Sequence, residues 1–351
     1  MNLLLKEFFM KLKSRKQKDR WNKLTAERTR RHLRRRWAFL WSAYLKRNAQ
    51  KKHLLNNTQR GYCQKIVAPA DFDLVKNPHG VMEFFKEIKF CFLNNIPVEI
   101  DMEHITTLSL NALLYLIAIM QNNKLKGRLF SIRGNTPADS TCKKLFESSG
   151  FYNYVRQHNA SALEIDDHAI LRITSNNIVS TDVLIKLCNF ITECLGYGKS
   201  KTRPVYEVIV EMMQNTFDHA YENKRCDSER WFVSAKYDAD LKEIEIAFLD
   251  TGYGIPATAK KRFLEKILNK IDIMSENQII FSALKGDFRT KTEQQWNGKG
   301  LPEIYNKYKS GILKELTILS GKGYVNLTKN EKFDLPNKFE GTLYSWKLMQ
   351  A

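Results

Sequence analysis

One helix-like segment, RPVYEVIVEMMQNTFDHAYENK, spanning 203–224, places a polar residue at every fourth position. Glu207, Glu211, Asn215 and His219 are each separated by about 400° of helical rotation, so they form a slowly drifting line along one face. Val208, Ile209, Met212, Met213 and Phe217 fill the remaining surface, and Pro204 suits a first helical turn. A helix that is apolar elsewhere must set such a line against water or against a polar neighbour. Taken alone, the line reads most simply as a solvent-facing stripe.

Two later segments supply a polar neighbour. KEIEIAFLDTGYGIP alternates as a strand up to Asp250 and then runs into Gly252-Tyr253-Gly254-Ile255. A carboxylate at a strand end can accept a hydrogen bond from an exocyclic amine, and glycines without Cβ let the backbone approach a planar base or its sugar. Further on, Asn297-Gly298-Lys299-Gly300-Leu301 stands directly before an apolar helix-like run. Backbone N–H groups in that position can bind phosphate.

In this order the pieces resemble the nucleotide site of the GHKL superfamily, the Bergerat fold shared by gyrase, Hsp90, histidine kinases and MutL. The correspondence comprises Glu211-x3-Asn215-x3-His219, Asp250-x-Gly252-x-Gly254-Ile255, Gly298-x-Gly300-Leu301 and a late Gly341-Thr342, and it spans 181–351. It implies an α/β sandwich, a mixed sheet with helices on one face, that binds ATP and Mg²⁺. By the same resemblance Asn215 ligates the metal and Glu211 polarises the attacking water. Asp250, supported by Thr342, holds the adenine amino group. Gly252, Gly254 and Ile255 lie along the nucleotide, and Gly298, Lys299, Gly300 and Leu301 lie over the phosphates. The segment 285–299 would be a lid carrying Lys285, Arg289, Lys291 and Lys299; His219 falls at a position less tied to chemistry. Two imitations fail. Gly198-Lys199-Ser200 lacks the earlier glycine and the strand context of a phosphate-binding loop, and Leu249-Asp250-Thr251-Gly252 lacks the second aspartate that an acid protease needs.

Upstream, 66–155 alternates helix-like and strand-like segments: 84–95 helical, 97–101 extended, 108–123 helical, 127–133 extended, 137–149 helical. EIDMEHITTLSLNALLYL followed by LFSIRGNTPADSTCKKLFESSGF resembles the STAS fold of anti-sigma-factor antagonists. Aligned on Asp101, the Asp-Ser pair that carries the phosphorylatable serine in regulatory STAS domains falls on Ser109-Leu110, so Ser109 serves only if the register shifts by one. An interaction or dimerisation scaffold is therefore expected over a phosphorylation switch. Residues 156–180 are polar and read as a linker, and no phosphoacceptor histidine box occupies 160–200. Gyrase, MutL and Hsp90 take a catalytic lysine from a domain after the ATP domain; with the sequence ending at Ala351, the expected source is the lid, a second protomer or a partner.

The net charge of +19 is unevenly spread. Residues 1–60 hold 19 Lys and Arg against three acids, whereas 61–351 hold 38 against 35, which excludes a uniformly basic, histone-like protein. Within the first segment Leu33, Trp37, Leu40, Trp41 and Tyr44 form an apolar stripe beside Arg30, Arg31, Arg34 and Arg35. It reads as a basic helical arm, with its stripe packed on the body or its cations aimed at nucleic acid, anionic lipid or an acidic protein. No apolar run approaches the roughly 20 residues of a membrane span. Six scattered cysteines without a CxxC pair give neither a disulfide framework nor a zinc site, and fit a reducing cytoplasm.

The function expected from these features is a nucleotide-driven ATPase switch acting on a protein partner or nucleic acid. The alternatives are a serine/threonine kinase of the anti-sigma type and a nucleotide-sensing adaptor without turnover. Because the charge excess sits in one segment, removal of residues 1–60 is predicted to abolish retention on a polyanion column in moderate salt while sparing nucleotide binding.

Overall fold

The computed structural model describes residues 63–94, 96–125, 132–155, 170–176, 178–220, 230–263, 274–287 and 300–350; the basic arm at 1–60 lies outside them. Residues 63–351 belong to one compact unit. Its N-terminal part is built on three parallel strands in the order β1-β3-β5: β1 (Gln64–Val67), β3 (Val98–Asp101) and β5 (Ile132–Gly134). The short β2 (Asp71–Phe72) pairs in parallel with β4 (Thr107–Leu108). Helices α1 (Pro78–Leu93), α2 (Leu110–Leu125), α3 (Ser140–Ser148) and α4 (Tyr152–Val155) accompany them. Asn77 and Asp139 open α1 and α3 by accepting from the Gly80 and Cys142 N–H groups. Ser109 precedes α2, is buried, donates to Asn111 Oδ1 at 2.6 Å and accepts from the Ala112 N–H at 3.4 Å. Its hydroxyl is thus committed to a helix start.

The larger sheet has five strands in the order β6-β7-β8-β10-β9: β6 (Ile170–Asn176), β7 (Trp231–Asp238), β8 (Glu243–Asp250), β9 (Lys314–Asn326) and β10 (Glu331–Met349). All four pairings are antiparallel, so the expected mixed sheet is corrected. Sequential neighbours β7–β8 and β9–β10 form hairpins, and the helices between them return β10 antiparallel onto β8. One further expectation changes. Part of the presumed linker is β6, an edge strand with only Ile173 buried, which leaves no strong alternation to read. The hairpin partner β9 carries Gly321-Lys322-Gly323 within its length. Those glycines lie under the N-terminus of a helix, where a Cβ on Gly323 would come within 2.8 Å of Asn277 N.

Helices α5 (Thr181–Leu195), α6 (Lys199–Ala220), α7 (Ile255–Phe263), α8 (Glu276–Lys285) and α9 (Gly300–Lys309) follow. Pro204 lies inside α6 rather than in its first turn, because a Gly198-anchored turn, in which Lys201 N and Thr202 N donate to Gly198 O, runs straight into the helix. Leu187, Ile191, Val208, Met212, Ile280 and Ile304 pack with Trp231, Val233, Ile246, Phe248, Tyr344 and Trp346 in one core on the helical face of the sheet. The alternate residues Phe232, Ala247, Leu249 and Leu343 face the other way and are also buried. There Tyr154 of α4 lies 6.1 Å from Phe232, and α1 and α2 pack on β7, β8 and β10. The expectation of helices on one face is therefore corrected to a sheet covered on both. Among the described residues no helix is long and apolar enough to cross a membrane.

Two-sided burial predicts that Phe232→Ala, measured by denaturant unfolding, costs about 3–5 kcal/mol. An open sheet face would give less than about 1 kcal/mol at that position.

Candidate functional site

One row of cross-strand partners organises the end of the large sheet. Trp231 pairs with Asp250, Asp250 with Thr342, and Thr342 with Ser320, across β7, β8, β10 and β9. All four side chains point to the helical face, because they continue the alternation of the core residues on their strands. Asp250 Oδ1 accepts from the Gly252 N–H at 2.9 Å, and Thr342 also hydrogen-bonds the carboxyl group. Desolvation outweighs these bonds and pushes the Asp250 pKa up to about 6.

Ser320, which the sequence did not single out, ties the row to the following loop. Its Oγ accepts from the Ile255 N–H at 2.8 Å, lies 3.0 Å from Gly341 O and 3.1 Å from Thr342 Oγ1. No motif marks it; only the β9 register brings it opposite Thr342. Gly254, at φ 83°, and Gly341, at φ 88°, are required by this packing. A Cβ on Gly254 would meet Ser320 Oγ at 2.8 Å, and one on Gly341 would lie 1.8 Å from Asp250 O. Gly252 differs, since a Cβ there would meet only Asp250 Oδ1, at 3.0 Å. Ile255 opens α7 and is buried in the core.

The polar line of α6 meets α9. Glu207 accepts from Lys307 Nζ at 2.9 Å and from Arg203 Nε at 3.1 Å, and these partners hold its carboxyl below the usual range. One and two turns on, Glu211 and Asn215 close on the start of α9: a Cβ on Gly300 would lie 2.8 Å from Glu211 Oε2 and 2.9 Å from Asn215 Nδ2. A larger residue at 300 would push the ends of both side chains aside. Leu301 packs beside the core and Ile304 within it. From Glu207 to Asn215 the stripe is therefore half-buried along a helix–helix seam.

The structure brings Glu211, Asn215 and Gly300 together, and separately Asp250, Gly252, Gly254, Ile255 and Thr342, with α6 packing on both β8 and α9. Gly298, Lys299, Arg289, Lys291 and the His219 side chain lie outside the described residues. Lys285 is exposed, with its ammonium 4.4 Å from the Phe281 ring. Among the described residues no group of three or more His, Cys, Asp or Glu is placed to hold a metal by itself, so a cation at Asn215 would need oxygen ligands from another source.

No protein-family model matches the chain, and no curated protein matches it. Among solved structures it is similar to the SiaB-SiaC complex from Pseudomonas aeruginosa, at 15% identity over 52% of this chain and 89% of that chain, with a TM-score of 0.27.

The raised Asp250 pKa has a definite sign. The folded protein holds the proton more tightly than the unfolded chain, so ionising Asp250 removes stability as pH rises from about 4 to about 6. Asp250→Asn is predicted to raise the melting temperature relative to wild type at pH 7.5 and to lose that advantage at pH 4, as read by thermal unfolding at the two pH values.

Proposed function

We propose that this chain binds Mg²⁺-ATP at the end of the large sheet and hydrolyses it, acting as a GHKL-type nucleotide switch with a STAS-like N-terminal part. The observation that carries the reading is the convergence of Glu211 and Asn215 on Gly300, which sets the polar line of α6 at the N-terminus of a helix. A helix start offers unsatisfied N–H groups and partial positive charge, suited to phosphate. The carboxylate and the amide beside it are suited to water and to a cation.

The residues present fit the ligand. A carboxylate has about four acceptor positions; Gly252 and Thr342 donate to that of Asp250, and a position remains for an exocyclic amine. Gly252, having no Cβ of its own, would let a flat ring approach the backbone. Bound Mg²⁺ would neutralise phosphate charge, with Asn215 Oδ1 among its oxygen ligands. Glu211 would accept a proton from the attacking water, and Asp250 with Thr342 would orient the base. The buried side chains of Trp231, Tyr344 and Ile255 beside the row would limit water at the base end.

Glu211→Ala is predicted to retain ATP binding and to lose phosphate release by about 100-fold or more. Asn215→Ala is predicted to weaken binding in Mg²⁺ but not in EDTA. Undiminished turnover in the Glu211 variant contradicts the mechanism. Transfer of the γ-phosphate to a serine, in place of free phosphate, replaces hydrolysis by the kinase reading, and binding without either replaces it by the sensing adaptor.

A further inference from the structure

Helix α1 runs beside the irregular stretch of β10 that leads into the site. His79 stacks on Phe333 at 5.2 Å, Glu83 Oε2 accepts from Asn337 Nδ2 at 2.8 Å, and Lys89 Nζ lies 3.4 Å from the Glu340 carboxylate. Helix α2 adds Tyr115, whose ring stacks on Phe339 at 4.0 Å. The Tyr115 oxygen accepts from Lys89 Nζ at 2.6 Å and from the Glu340 N–H at 2.9 Å. Both rings are buried.

The next two residues are Gly341, which touches the Asp250 backbone, and Thr342, which bonds the Asp250 carboxyl. The β9–β10 register shifts between Phe339 and Thr342, so the ladder alone does not fix the backbone there. The β8–β10 pairing at Thr342 and the Ser320 contact with Gly341 O hold its far end, and the cluster of Lys89, Tyr115 and Phe339 holds its near end. Burial opposes the charge on Lys89, but Tyr115 and Glu340 outweigh it and raise its pKa, so the cation is kept through the neutral range.

We propose that Lys89 and Tyr115 are positioning residues for the nucleotide site: they set the path of Phe339–Thr342, and through it the placement of Thr342 against Asp250. The inference rests on the nucleotide reading above. It makes the N-terminal helices and the base pocket two ends of one linkage. By thermodynamic reciprocity, whatever binds the first and shifts α1 or α2 changes affinity at the second.

The test uses the full chain with Tyr115→Phe, which keeps the ring stack and removes the oxygen. Two readouts are taken: the Mg²⁺-ATP dissociation constant by calorimetry, and hydrogen exchange at the Gly252 amide, which bonds Asp250 and has no hydrogen bond to Lys89 or Tyr115. The expected result is roughly tenfold weaker binding with faster Gly252 exchange. Lys89→Met is expected to do the same, Lys89→Arg to restore both, and Lys143→Ala, an exposed lysine on α3 outside these contacts, to change neither. Wild-type affinity and wild-type Gly252 exchange in Tyr115→Phe would overturn the proposal. If wild type binds no ATP, the nucleotide reading fails and Gly252 exchange alone decides the linkage. If Tyr115→Phe does not fold, the Lys89→Met and Lys89→Arg pair carries the same two readouts.

Discussion

Burial of the five-stranded sheet on both faces is the constraint from which the rest of the molecule follows. A sheet whose two faces are apolar needs two covers. Helices α5 to α9 supply one, with Trp231, Phe248 and Trp346 at its centre, and the N-terminal helices supply the other over Phe232, Leu249 and Leu343. The central strand β8 is thus held from four directions, and Asp250 at its end inherits that rigidity. A tethered N-terminal module would have left Phe232 and Leu249 facing water.

The site carries the local conflicts that a well-packed fold otherwise avoids. Desolvation disfavours the charge on Asp250, and two glycines with positive φ stand where no side chain would fit. Ser320 holds this arrangement together, contacting the Ile255 amide, the Gly341 carbonyl and the Thr342 hydroxyl. On the helical side the seam between α6 and α9 does the same for Glu211 and Asn215, with the Glu207–Lys307 pair bracing it. Polar groups held beside a core at such a cost are expected where they meet a ligand.

How far the sequence revealed this depended on periodicity. The four-residue spacing from Glu207 to Asn215 was legible because a long amphipathic helix gives a strong signal, and the strand ending at Asp250 because its alternation is regular. The start of α9 at Gly300 followed from glycines preceding an apolar run. β6 escaped because an edge strand exposes most of its side chains, and β9 because its glycines pack under α8 and so mimic a turn. Ser320, and the contact of Tyr115 with Glu340 over 225 positions, leave no local pattern at all, since they depend on register and tertiary packing. The antiparallel sheet and its second cover were likewise matters of topology, which spacing does not encode.

The central claim is that the row at Asp250 recognises an adenine base, and the direct measurement is equilibrium binding of Mg²⁺-ATP and Mg²⁺-GTP to the wild-type chain under identical conditions. ATP presents an amine where GTP presents a carbonyl oxygen, which a carboxylate repels. The account predicts binding of ATP with GTP weaker by about tenfold or more, the scale of one charge-assisted hydrogen bond. Equal affinity for the two nucleotides, or no ATP binding at millimolar concentration, would contradict it.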